Sequence, residues 1–412
     1  MQNVFSHRKN VHQGVPLRQL KNKYVRMKCF ILGIFLFCIS PWLNAQNNGT
    51  HTRISVITCG PGNELYSLFG HTALRIIDSV NHTDVVYNWG GFTFDQPNFY
   101  LKFMRGKLLY YSSADAFPEF MYEYIYEHRS VYEQELKIDS ASKQNIINAV
   151  NFNMQGNNRF YKYDFLLDNC TTRVKDIVLK NIQGDTIHNR IVPAGTTSRD
   201  LIHYYLDRGG QHWTKVGIDI LLGGRVDQIV SNDEAMFMPE FFMKGLAIAS
   251  DEGVYIARDA TVLLKGENGD GSSGKYIPLI VLAIISVALF IVSKLNANWA
   301  KRLTSFADAL LLYITGLIGL LLLFMWFATD HTVCKNNINL VWALPFNLPI
   351  AFCLIKKPSW LSNYFFIVAV ITAVFIATWF WVPQQLNIAL LPVVILLLNR
   401  YINLSNKYRK VI

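Results

Sequence analysis

Up to Glu64 this 412-residue chain contains no acidic residue at all, while Arg8, Lys9, Arg18, Lys21, Lys23, Arg26 and Lys28 all precede it. Charge is scarce throughout, 17% of residues against 51% hydrophobic, which is too apolar for an ordinary soluble enzyme and excludes a disordered chain. Cysteine is nearly absent too. Of six, Cys29 and Cys38 fall in an N-terminal apolar run and Cys353 in a later one, leaving Cys59, Cys170 and Cys334. So few exclude a disulfide framework, and no Cys/His spacing matches a zinc site, so neither a metal nor a cofactor is expected. The net charge of +10 belongs to the ends, because residues 46–274 hold 21 basic and 27 acidic residues. No nucleic-acid partner is expected for so acidic a middle. There is no internal repeat.

What the chain does have is long hydrophobic runs. Met27-Lys28, the apolar run from Cys29 to Ile39, Pro41 and Leu43-Asn44-Ala45 form the basic, apolar and cleavage regions of a signal peptide. The expected mature start is Gln46. The polar stretch before Met27 is explained if translation starts there, and an uncleaved anchor is the alternative. Residues 1–45 are thus leader and signal peptide. Five apolar stretches follow at 276–293, 306–328, 340–355, 364–382 and 386–399, most near the roughly 17 to 25 residues that cross a bilayer. Pro345 and Pro349 in the third, and Pro392 in the short fifth, predict kinked or shallow spans. Lys294, Lys301, Arg302, Lys356, Lys357, Arg400, Lys407, Arg409 and Lys410 cluster in alternate loops and the tail. By the positive-inside rule those segments and the C-terminus are cytoplasmic, and residues 46–265 are exported. The Gly/Ser-rich segment 266–274 predicts a flexible linker on which the exported domain reorients, with a membrane domain of about five helices at 275–412.

Cys170 stands in Asp168-Asn-Cys-Thr-Thr-Arg173, with Val174, Ile177, Val178 and Ile182 following at helical spacing. Asp168 or Asn169 can cap that helix and support the thiol, or an oxyanion beside it, at an N-terminus that favours a thiolate. By itself such a cysteine is more often a small buried residue. What points to chemistry is His71 at the start of an alternating strand, with Ala73 and Arg75 on its face and Leu74 and Ile76 on the other, and Gly70 allowing close approach. A thiol and an imidazole in one exported domain are what a nucleophile and its general base require. Asn88, in a second strand at 85–89, can orient the imidazole, and Asp84 or His82 would serve as well. Cys59, followed by Gly60-Pro-Gly62, is a core residue, a rival nucleophile or a disulfide partner, and without helix-dipole help it ranks below Cys170. Asp330 and His331, beyond the second span, would close over the site or hold a lipid headgroup. The aromatic tract from Phe99 to Tyr132 would line an acyl groove, sit at the membrane interface or form core.

The segments Thr58 to Arg75, Val86 to Gly90 and Asp168 to Arg173, followed by several spans, resemble the Lnb family of bacterial lipoprotein N-acyltransferases. The segment Ala328 to Trp342 is similar to that family as well. The resemblance implies an α+β exported domain of the circularly permuted papain-like type, with His before Cys, ahead of an all-α membrane domain in the bacterial inner membrane. It implies that Cys170 takes a fatty acyl group from a phospholipid as a thioester, with His71 as base. The acyl group would then pass to the amino group of a diacylglyceryl-cysteine lipoprotein. A membrane-tethered periplasmic hydrolase, a peptidoglycan peptidase or amidase or a phospholipase, would use the same pair with water as acceptor. From a different class, a sensor or scaffold would carry an inert thiol.

Overall fold

The computed structural model describes residues 51–409 apart from 183–186, 188, 252, 268–270 and 272. The expected leader and signal peptide, 1–45, lie outside the described residues, as does part of the segment 266–274.

The exported part is built on an antiparallel sheet whose middle is apolar on both faces. Strand β1 (Thr52–Cys59) is β-branched and buried from Ile54 to Cys59, and β2 (His71–Asp78) pairs with it so that Cys59 faces His71. β3 (Thr83–Gly91) and β4 (Leu109–Ala116) extend the sheet on one side, with helix α1 (Phe99–Met104) between them in sequence. After α2 (Phe117–Tyr126), β5 (Val131–Glu135) pairs on the other side of β1. Helix α3 (Ser140–Met154), strand β6 (Phe160–Lys162) and helix α4 (Cys170–Leu179) follow. The sheet order is β6-β4-β3-β2-β1-β5, with the late strand Thr261–Leu264 on the far edge.

Each face carries its own helical layer. Ile54, Val56, Leu74 and Trp89 pack against Ile146 and Val150 of α3 and Val174, Ile177 and Val178 of α4. On the opposite face Ile57, Cys59, Ala73 and Val86 meet Phe120 and Tyr124 of α2. Full burial of such a side chain is worth about 1.5–3 kcal/mol, so the two layers hold β1 and β2 rigidly in the middle. Of the aromatic tract, Phe120 and Tyr124 are therefore core, whereas Tyr122 and Tyr126 are exposed. A further core is formed by α5 (Ser198–Arg208) with Phe237 and Phe241, and Leu68, Phe69, Phe165 and Leu166 pack into it. It braces the loops that lead into His71 and Cys170.

The C-terminal part is helical: α9 (Ile277–Val292), α10 (Asn298–Phe327), α11 (Asn347–Lys356), α12 (Leu361–Ala377) and α13 (Leu391–Arg409), numbered after α6 (His212–Leu221), α7 (Asn232–Ala235) and α8 (Pro239–Ile248). Three of the segments are long and apolar enough to cross a membrane, Ile277–Lys294, Asn298–Phe327 and Ile388–Arg409. Expected boundaries shift at two places. The third apolar stretch is broken into a short turn, Ile338–Val341, and the 10-residue α11, because Pro345 interrupts the backbone ladder between them. The fifth stretch does not stop at Asn399 but continues to Arg409, packing Tyr401, Leu404 and Tyr408 on the bundle. The continuation tolerates Arg400 because its guanidinium meets buried Asp308 through two bonds of 2.6 and 3.0 Å.

The composition of 266–274 predicts a domain that swings, but the two parts share more than that connection. Val216, Ile220 and Leu221 of α6 pack into the core of the helical bundle. The last carbonyls of α6, which have no partner within their own helix, are capped by side chains from the membrane part. Asn337 Nδ2 donates to Ile220 O (2.7 Å) and Leu221 O (3.0 Å), Asn339 Nδ2 to Asp219 O (2.9 Å), and Gln384 Nε2 to Leu222 O (3.0 Å). Asn387 Nδ2 also reaches the buried Asp219 carboxylate at 2.8 Å, which Arg199 and His203 share. Buried polar contacts spread over several loops hold one orientation where a Gly/Ser connection alone would allow many.

Candidate active site

Cys170 is the first residue of α4, and local sequence puts it there. Asn169 is the N-cap: its Oδ1 accepts from the backbone N–H of Thr171 (2.8 Å) and Thr172 (2.9 Å), while Thr172 Oγ1 accepts from the Asn169 N–H (2.8 Å). This reciprocal cap satisfies early donors of the helix and sets its start at Cys170. The Asn169 amide N–H groups are taken by Phe165 O and Phe237 O, so Asn169 supports the turn and has no donor left for an oxyanion. Asp168 points elsewhere. Its carboxylate pairs with Arg173 at 2.6 and 2.9 Å, and that guanidinium lies 3.6 Å from the centre of the Tyr161 ring.

His71 opens β2 directly after Gly70, whose φ is +78° and where a Cβ would come within 2.6 Å of the Cys59 carbonyl oxygen, leaving no room for a side chain. The imidazole and the Cys170 thiol are close enough for each to shift the pKa of the other, and Thr72 Oγ1, next to His71, meets Thr171 Oγ1, next to Cys170, at 3.0 Å. His71 Nε2 is 3.1 Å from Asn88 Oδ1, and Asn88 Nδ2 donates to Asp115 Oδ2 at 2.9 Å. Of the three residues that could orient the imidazole, Asn88 is the one in place. Asp84 is held by Arg75 through bonds of 2.6 and 2.7 Å, and His82 sits in the β2–β3 turn at φ 52°. Asp115 escaped sequence reasoning because its link to Asn88 runs across the β3–β4 ladder, where Asn88 stands opposite Ser113. An acidic residue two positions from that partner, on the same face, was the available signal.

Electrostatics follow from this geometry. Burial pushes the Cys170 thiol up, but the His71 charge and hydrogen bond, the Thr72 backbone N–H and the Thr171 hydroxyl outweigh it and bring the thiol down to about 7. For His71, burial favours the neutral ring, yet the Cys170 thiolate and the Asn88 amide raise its pKa above the ordinary value. The two groups therefore stabilise each other as an ion pair. Cys59 lacks any such partner: burial pushes it up to about 12 in spite of a hydrogen bond to Tyr124 and the nearby Arg129. It is a core residue packed with Phe120 and Tyr124, on the face of the sheet away from the helix that carries Cys170.

Beside the thiol is Gly90, where φ is +105° and the β3–β4 register shifts. A Cβ placed there would be 3.9 Å from both Cys170 Cβ and the Tyr161 hydroxyl. That hydroxyl is buried with no hydrogen-bond partner. The site thus brings together a thiol of lowered pKa, an imidazole, an amide hydrogen-bonded to that imidazole and a buried hydroxyl without a partner, a set that can support nucleophilic chemistry at the thiol. Among the described residues, no group of three His, Cys, Asp or Glu is placed to hold a metal ion.

Asp330 and His331 are not brought to the thiol. Asp330 pairs with Lys162 at 3.4 Å and its backbone N–H donates to Arg105 O at 2.9 Å, while His331 Nε2 donates to Phe103 O at 3.1 Å. They join the outer end of α10 to the end of α1.

Two family models match the chain in sequence order: the Lnb N-terminal periplasmic domain over residues 39–203 and the Lnb transmembrane domain over residues 270–411. No curated protein and no solved structure matches it at a significant level.

Proposed function

The chain belongs to the Lnb family, whose members are membrane enzymes that modify lipoproteins, and from that premise we propose that it is a lipoprotein N-acyltransferase working through a Cys170 thioester. The observation that carries this reading is the thiol lowered to about 7 against His71, itself hydrogen-bonded to Asn88.

The thiolate attacks the ester carbonyl of a phospholipid, forming the C–S bond. As the C–O bond breaks, the lysophospholipid alkoxide takes the His71 proton. In the second half the lipoprotein α-amino group attacks the thioester and gives its proton to His71. The C–N bond forms, the C–S bond breaks, and the thiolate–imidazolium pair is restored. In both halves the carbonyl oxygen carries negative charge, which the Cys170 backbone N–H at the helix N-terminus and the partnerless Tyr161 hydroxyl would stabilise. Donors aimed there are worth about 2.7–4 kcal/mol each in comparable sites. No cofactor enters this sequence. A membrane-bound enzyme suits it because donor and acceptor are both anchored in lipid, at about 0.8 kcal/mol per buried CH₂.

The finer architecture belongs to the same reading. His71 on a strand ahead of Cys170 on a helix fits a circularly permuted papain-like domain. The 17-residue α12 and the broken segment before Lys356 complete five crossings, with Lys356, Lys357 and the C-terminus on the cytoplasmic side. Expression in cells lacking their own N-acyltransferase tests the activity. Mass spectrometry of lipoprotein N-termini should find the amide-linked acyl chain with the wild-type chain and not with Cys170→Ser. Free amines in both, or release of fatty acid to water in place of the amide, would sink the transferase reading.

A further inference from the structure

A continuous row of aromatic rings runs from the outer end of the membrane part to the thiol. Phe103, at the end of α1, contacts Phe99 at 6.2 Å between ring centres, Phe99 contacts Phe92 at 6.0 Å, and Phe92 contacts Tyr110 at 5.5 Å. Tyr110 then meets Tyr163 at 4.7 Å and Tyr161 at 6.4 Å. Tyr163 and Cys170 pack against the same core, and the Tyr161 hydroxyl and Cys170 Cβ each lie 3.9 Å from the point that a Gly90 Cβ would occupy.

The other end of the row is fixed at the membrane. The spanning helix α10 ends at Phe327, and His331 and Asp330 just beyond it bind the Phe103 and Arg105 carbonyls. Around that anchor the surface is apolar in a way water does not favour: Tyr100 is 76% exposed, Phe94 67% and Phe103 51%. Rings beside a span end belong at the lipid interface, and the adjacent Lys102, Arg105 and Lys107 suit the phosphates found there.

Resting on the acyl-transfer reading, we infer that this row is the track along which the fatty chain of the donor phospholipid leaves the outer leaflet and reaches Cys170. The occupant is a lipid chain because the row is continuous with the membrane at one end and with the nucleophile at the other. A chain laid on ring faces exchanges one apolar surround for another, so its carbonyl reaches the thiol without the chain crossing water.

The test compares two donors in thioester formation on Cys170, dipalmitoyl phosphatidylethanolamine in micelles and the water-soluble butyryl thioester of N-acetylcysteamine. Phe92→Ser and the surface variant Phe103→Ser should lower the ratio of palmitoyl to butyryl transfer by about tenfold, as expected for losing one ring contact with the chain. Phe92→Leu should restore the ratio, which a folding defect would not allow. Tyr122→Ser, exposed on α2 and off the row, should leave the ratio unchanged. An equal fall for both donors would make the row structural, and an unchanged ratio would also overturn the track. If the wild-type chain takes acyl groups from neither donor, the thioester reading itself fails, and the track with it; butyryl transfer alone by the wild type would overturn the track and spare the reading.

Discussion

His71 Nε2 and Asn88 Oδ1 lie 3.1 Å apart, and the contact decides which ring nitrogen carries the proton. Asn88 spends its amide N–H on Asp115, so its oxygen faces the ring and accepts from Nε2. In the acyl-transfer reading proposed above, this leaves Nδ1 to exchange a proton with Cys170.

Asn88→Ala should slow formation of the Cys170 thioester by about tenfold to a hundredfold, since the ring loses both its orientation and part of its stabilisation as imidazolium. Asp115→Ala should produce a smaller fall, because it acts through Asn88. Rapid-quench mass spectrometry of the Cys170 peptide measures both. Wild-type rates in Asn88→Ala would remove Asn88 from the site.

The pH dependence has a definite sign. The thiolate population grows as pH rises through the thiol value of about 7, and the proton-donating imidazolium is lost as pH rises through the raised His71 value. Iodoacetamide alkylation of Cys170 should therefore have its rising limb near pH 7. His71→Ala removes the chief influence that lowers the thiol, so the limb should move up, to or beyond the ordinary thiol value of about 8.5. A limb unmoved by the substitution would mean that the two groups are not paired.

Cys59 offers a contrast within one molecule. Buried and pushed up to about 12, it should stay unalkylated in the folded protein at pH 8 under conditions that label Cys170. Cys59→Ala should keep acyl transfer at a level set by folding yield. Loss of transfer at full expression would reopen the choice of nucleophile.

The interface between the two parts should be measurable as stability. Asn339→Ala strips the donor from the Asp219 carbonyl, while Ile220 O keeps its bond to Asn337, and a buried carbonyl left unpaired costs about 1–3 kcal/mol. A lower thermal midpoint and faster proteolysis near α6 are expected. Gly223→Ala should act more strongly, since its Cβ would overlap the Lys335 carbonyl. If neither variant differs from wild type, the docked arrangement is not what stabilises the protein.

Membrane orientation is checked by fusions to a reporter that works only in the cytoplasm. Fusion after residue 270 should be silent and fusion after residue 357 active. The reverse pattern would place the thiol on the wrong side for mature lipoproteins.

What the sequence by itself determined is whatever a few neighbouring residues control. The cap at Asn169, the helical spacing from Val174 to Ile182 and the alternation after His71 are short-range signals, so the starts of α4 and β2 were legible. Hydropathy marked the membrane part but not the ends of its helices, because the break at Pro345 and the extension to Arg409 depend on packing partners such as Asp308. Only the tertiary structure decided among Asn88, Asp84 and His82, since the answer lay in which partner each had already taken. It alone linked Asp115 to Asn88, put the Tyr161 hydroxyl across from Cys170 and closed Asn337 and Asn339 over the end of α6. Those contacts join residues far apart in sequence, and their pairing is set by strand register and by the need of buried donors and acceptors to find one another.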